Sequence, residues 1–297
     1  MSVPAAYAAV IAIWSITPLG LVWSNESLSP IAAASLRISI AAALGWLFVK
    51  AVRIELPWHG KALRVYGFSV IGIFLGMLLS YLGAKSVPSG LISVMFSLSP
   101  VISGLLAHLL INDRTLTPLR VVAFVVAIGG MATIFLGDSN GATGTTEGLI
   151  FVVCSVLFFC LSGVLVKGES SELHFMSITV GALILSVPCY VLSWMVFDGE
   201  IPVLDWSSKS PWAVIFLAVF GSLIGFGSYF YVLQKLPPST VTMVTLVTPI
   251  FALILGSTLN HEILDSRVYW GCTLVLSGLA LYIWSDKVTR FIMAKAA

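Results

Sequence analysis

Charge is what this sequence has least of. Of its 297 residues only 9% are Asp, Glu, Lys or Arg, while 59% are hydrophobic and the mean hydropathy is +1.05. A water-facing domain of this length carries roughly a quarter charged residues. A soluble class is therefore excluded, and most of the exterior must meet lipid. The net charge is only +2, with no basic patch interleaved with aromatics, so nucleic acid is not expected as a partner. Cysteine is scarce too. Cys154, Cys160, Cys189 and Cys272 all fall in apolar runs, with neither metal-ligand spacing nor a disulfide framework. They read as packing residues, and no metal or cofactor is expected. HExxH and GxSxG are absent, as is any cluster of Asp, His and Ser near the end of a run, which leaves an integral-membrane enzyme without its chemistry. The first residues lack a basic n-region, so the first run is read as a retained helix rather than a signal peptide.

What the chain does have is apolar runs of about 20 residues, the length that crosses a ~30 Å hydrocarbon core as a helix. The runs are continuous rather than alternating, which favours helices over a barrel. Spans are predicted at 3–23, 31–49, 64–84, 89–110, 119–136, 147–166, 174–197, 211–234, 239–259 and 268–285. Pro30, Pro88, Pro118 and Pro211 suit first turns. Between the fifth and sixth runs, 138–146 (DSNGATGTT) reads as a linker, and 287–297 as a tail. With both termini cytoplasmic, eleven basic residues fall inside (Lys50, Arg53, Lys61, Arg64, Arg114, Arg120, Lys167, Lys235, Lys287, Arg290, Lys295) and three outside (Lys85, Lys209, Arg267). That bias sets the expected orientation in an inner (plasma) membrane. Trp23, Trp58, Trp194, Trp206, Trp212 and Tyr269 fit interfacial belts.

The most informative pattern is a repeat at an offset of 149 residues. Gly72 and Gly76 match Gly221 and Gly225, Pro88 matches Pro237, Pro100 matches Pro249, Asp113 matches Glu262, and Gly129 matches Gly278. Tyr81 meets Phe230, and Thr117 meets Ser266. Five helices per half (1–137 and 147–286) is an odd number, so the second half inserts upside down. The predicted fold is an all-α membrane protein of ten transmembrane helices in two inverted five-helix repeats. That architecture recurs in secondary transporters, with a substrate site near the midplane where the halves meet.

The segments around Pro100 to Phe135 and Pro249 to Trp284 resemble the two copies of the EamA domain of the drug/metabolite transporter superfamily, as do the TPLG at Thr17 to Gly20 and the SLRISIA around Arg37. The resemblance spans nearly the whole chain. It implies ten helices, cytoplasmic termini and export or exchange of small metabolites. Where a second arginine would fall, this sequence has Ala182.

Arg37 is the one ionisable residue well inside a run. An unpaired guanidinium there costs at least ~2.5–3.5 kcal/mol. It either faces the cavity and binds an anionic group, or is structural, held by helix-end carbonyls or by an outer acid such as Glu26 or Glu262. No Asp or Glu lies in mid-run, which argues against a proton-coupled exporter of cationic drugs. His108 is either a proton relay or an ordinary interfacial histidine. The expected substrate-binding set is Trp14, Thr17, Arg37, Tyr81, Ser97, Ser162, Tyr229 and Thr245, with Ser80, Ser99, Cys160, Phe230 and Thr248 nearby. Pro18, Pro100 and Pro249 are candidate helix breaks for gating. Gly72, Gly76, Gly221 and Gly225 are read as packing positions, and Lys85, Lys167 and Lys235 as snorkelling side chains. The expected function is a secondary transporter of a small organic metabolite such as an amino acid, not an enzyme. Its partners are the bilayer and a small-molecule substrate, and the chain acts as a monomer or homodimer. The competing classes are a membrane enzyme and a channel or sensor without alternating access; a channel would need rings of polar residues along one pore.

Overall fold

In the computed structural model, residues 2–111, 118–136, 144–169, 172–262 and 266–296 are described. Every regular element among them is helical. Eight helices are long and apolar enough to cross a bilayer: α1 (Val3–Ser24), α2 (Pro30–Val52), α3 (Gly60–Gly83), α4 (Ser89–Ile111), α6 (Thr146–Glu169), α7 (Phe175–Phe197), α8 (Ser210–Lys235) and α9 (Pro238–Leu259). Two more helices, α5 (Pro118–Leu136) and α10 (Ser266–Ala296), follow α4 and α9. Apart from the end of α10, every boundary lies within four residues of its predicted place. The reason is local: Ser2 and Ser29 accept the amide hydrogens of Ala5 and Ala32 while proline occupies the first turn, and Arg53 at φ 61° ends α2. Residues 287–296, read as a tail, are helical and continue α10, and Thr146, read as the last linker residue, begins α6. Asp113, Arg114, Thr117 and 138–143 of the linker lie outside the described residues.

Four of the long helices are not uniform. α3 widens to a π-helix over Ile71–Gly76, and α8 does so over Leu217–Ile224. α4 breaks at Ser97 and Leu98 and restarts at Ser99. α9 tightens to a 3-10 helix over Thr242–Leu246 and restarts at Thr248. Pro100 and Pro249 therefore sit in the first turn of a second half-helix, where a missing N–H leaves no gap. α1 instead runs unbroken through Pro18.

The two halves interlock through close contacts at small residues. A Cβ on Gly72 would lie 2.9 Å from Ser162 of α6, and one on Gly76 would lie 3.4 Å from the backbone of Ser155 and Phe159. On α8, a Cβ at Gly221 would be 2.9 Å from Arg37 Nη2, and one at Gly225 would be 3.4 Å from Ile13 of α1. Thus α3 packs on α6 as α8 packs on α1 and α2. The counterparts α2 and α7, and α5 and α10, pack directly on each other and run antiparallel. Ser35 lies at Tyr190 and Gly45 at Val180 along α2 and α7; Ala123 lies at Gly278 and Gly130 at Gly271 along α5 and α10. The outer surface is apolar, as lipid requires: Leu109 is 65% exposed and Val125 64%.

Candidate functional site

Where the halves meet, a cavity opens between α1, α2, α3, α4, α6, α8 and α9. It is narrow, with about 70 Å³ open to a water-sized sphere. Its polar wall consists of Thr17, Arg37, Ser80, Ser93, Ser155, Thr245 and Thr248; its apolar wall consists of Trp14, Pro18, Leu21, Met77, Phe96, Phe159 and Phe226, with Gly76 and Gly221 between. Arg37 enters α2 seven residues after Pro30, so it lies about 10 Å in from that end of the bundle.

Each wall residue is placed by its helix. Thr17 turns its hydroxyl onto Ile13 O of its own helix at 2.8 Å. Ser155 Oγ reaches Gly76 O at 2.6 Å, and the Ser80 and Ser155 hydroxyls lie 2.6 Å apart. Tyr190 Oη donates to Ile73 O at 2.8 Å. The π-turn of α3 thus has its displaced carbonyls bonded from the other half, which a wide turn needs when no water is at hand. Trp14, Phe159 and Tyr229 form a ring cluster with centroids 5.2–5.3 Å apart, and Phe96 joins at 6.1 Å.

Arg37 is fully buried. Its Nε donates to Ser222 Oγ at 2.9 Å, its Nη1 lies 3.4 Å from Met77 Sδ, and its Cζ stands 5.9 Å from the Tyr81 ring centroid. The structural alternative named two acids, and both are engaged elsewhere. Glu26 pairs with Lys209 at 3.7 Å. Glu262 accepts the backbone amides of Ser89 and Gly90 at 3.0 and 3.2 Å, so it caps the start of α4 from the end of α9. Asn260 bridges Glu262 to Trp23 of α1. Gly256 leaves room for this cap, because a Cβ there would crowd the Glu262 carboxylate and the Ser89 hydroxyl. At the opposite end Lys167, expected to snorkel, instead donates to Leu233 O and Gln234 O at 2.9 and 3.1 Å, at the C-terminal end of α8.

Of the predicted binding set, Trp14, Thr17, Arg37 and Thr245 line the cavity together. The other four do not. Tyr229 stands behind the Trp14 and Phe159 rings, and Tyr81 lies buried beside Arg37 with an unpartnered hydroxyl. Ser97 bonds its own helix at Val94 O, and Ser162 bonds Phe68 O across the α3–α6 contact. Sequence reasoning missed Met77, Phe96 and Phe226, although the repeat offset carried the signal: Met77 pairs with Phe226, and Phe96 with Thr245. It also missed the π-turns and the Glu262 cap, which leave no local mark.

A polytopic helical bundle around a buried, mostly apolar cavity with a few hydroxyls and one cation is the arrangement of a membrane transporter. The model of the EamA-like transporter family matches residues 3–136 and 146–284, and the chain belongs to that family. It is similar to an uncharacterized transporter of Archaeoglobus fulgidus, 27% identical over 283 residues, covering 93% of this chain and 96% of that one. It is also similar to the uncharacterized inner membrane transporter YedA of Escherichia coli, 25% identical over 261 residues, covering 87% and 82%. A solved crystal structure shares its fold at a TM-score of 0.69 and 16% identity, over 94% of this chain and 96% of that chain. The protein is a multi-pass membrane transporter acting on a small molecule within the bilayer.

Proposed function

We propose that this protein is a secondary transporter that moves a small organic metabolite, such as an amino acid, by alternating access between two inverted five-helix halves. In this reading α5 and α10 cross the bilayer with the eight long helices, both termini are cytoplasmic, and transport is export or exchange. The observation that carries the reading is the pairing of breaks around the cavity. Leu98 and Val247, in the two interruptions, stand at the repeat offset of 149, as do Pro100 and Pro249 after them. Each break interrupts the regular helical ladder and leaves a half-helix that can swing about it at lower cost than an unbroken helix. Antiparallel counterpart helices support the inversion, since exchanging the conformations of the two halves would turn an opening at one end into an opening at the other. The wall contains no carboxylate among the described residues, which suits facilitated diffusion or exchange as well as proton antiport.

A single cysteine at Ser93, in a background with the four native cysteines replaced, tests this. A membrane-impermeant maleimide should label it from either side of oriented vesicles, and labelling from one side should slow when the opposite side is held open. Reactivity from one side alone, under all conditions, would leave a static pore or pocket and remove alternating access.

A further inference from the structure

We propose that the cavity selects a monocarboxylate with an aromatic or bulky apolar body and no amine, held by Arg37. This rests on the transporter reading and, within small organic metabolites, favours a simple carboxylate over the amino acid given as its example. The guanidinium is fully buried in the cavity wall, and among the described residues no Asp or Glu lies within ion-pair distance of it. The partners it does have are a hydroxyl, a thioether and a π-face. All three are uncharged, and a buried cation in such surroundings carries a desolvation cost that an anion would offset. Glu26 and Glu262 are spent on Lys209 and on the α4 amides. The missing negative charge is therefore assigned to the ligand.

The rest of the wall defines the ligand's body. On α8, a Cβ added at Gly221 would lie 2.9 Å from Arg37 Nη2 and one at Gly225 would lie 3.6 Å from Trp14 Nε1, so the charge site and the aromatic wall are neighbours along that helix. An ammonium group on the same molecule would find no acid in the wall, so a simple carboxylate fits better than an amino acid, and an amine fits worst.

Binding of phenylacetate, phenylalanine, 2-phenylethanol and phenethylamine to the purified full-length protein in nanodiscs, read as the concentration-dependent shift in thermal unfolding midpoint, tests this. Phenylacetate should bind roughly 10- to 100-fold more tightly than 2-phenylethanol, as a charge-assisted pair implies, with phenylalanine between them and phenethylamine weakest. R37Q should erase the preference for phenylacetate, while R37K, which keeps the charge without the fork, should retain part of it. Without ligand, R37M should unfold no earlier than the wild type, because it removes a buried charge that no protein group neutralises; a structural arginine would give a lower midpoint. If 2-phenylethanol or phenethylamine binds as well as phenylacetate, if none of the four binds, or if R37K loses the preference along with R37Q, the substrate class is wrong. The Ser93 labelling result stands apart from all of these and bears only on alternating access.

Discussion

Leucine in place of Gly278 is expected to abolish the packing of α10 on α5 and, with it, most of the folded protein. A Cβ at Gly278 would lie 2.7 Å from both Ala123 O and Ala127 N, and one at Gly130 would lie 2.7 Å from Gly271 O and Val275 N. These neighbours are backbone atoms, so no rotamer change relieves the clash, and the helices must separate. Overpacking typically costs about 1–3 kcal/mol, and a clash with backbone atoms belongs at the upper end, which is a fall of roughly a hundredfold in the folded-to-unfolded ratio at roughly 1.4 kcal/mol per decade. Membrane helices associate largely through such close approach. The control is one position from Gly130. Gly129 has nothing within 4 Å of an added Cβ, so Gly129→Leu should change stability by no more than about 0.5 kcal/mol. Monodisperse yield and unfolding midpoint in detergent measure both. Equal tolerance of the two leucines would mean that α5 and α10 do not pack as described.

The second large effect belongs to Glu262. Its carboxylate accepts two amides at the start of α4 and one from Asn260, tying the end of α9 to α4 and, through Trp23, to α1. Alanine there strands two partly buried N–H groups in a helix's first turn, a loss of about 1–3 kcal/mol. If the tie exists only while this end of the bundle is closed, Glu262→Ala shifts the population toward the form open at this end by roughly 10- to 100-fold. The rate of labelling of Ser93→Cys from that side should rise at least tenfold, and Glu262→Gln, which keeps one acceptor oxygen, should give a smaller rise. An unchanged rate in the alanine variant would show that the cap has no part in closure.

Much of the fold was legible along the chain because its causes are local. Apolar runs long enough to span hydrocarbon, serine caps and first-turn prolines fix where helices begin and end, and the offset of 149 residues relates the halves. The site was legible only in part. Trp14, Thr17, Arg37 and Thr245 reach the cavity, whereas Ser97 and Ser162 serve helix backbones, a use of serine that composition does not distinguish from lining a cavity. The offset also pairs Gly278 with Gly129, although the contact on α5 is made by Gly130.

Sequence by itself determined that this is a helical membrane protein of duplicated design, where its helices lie, and that one arginine is buried in them. Only the tertiary structure decided which side chains share the cavity, that Arg37 has no acidic partner among the described residues, and that Glu262 ties α9 to α4. The physical reason is rotation. Each residue turns the helix by about 100°, so a local π- or 3-10 turn re-aims every side chain beyond it, and the phase at which two helices meet is set by the other helices packed around them.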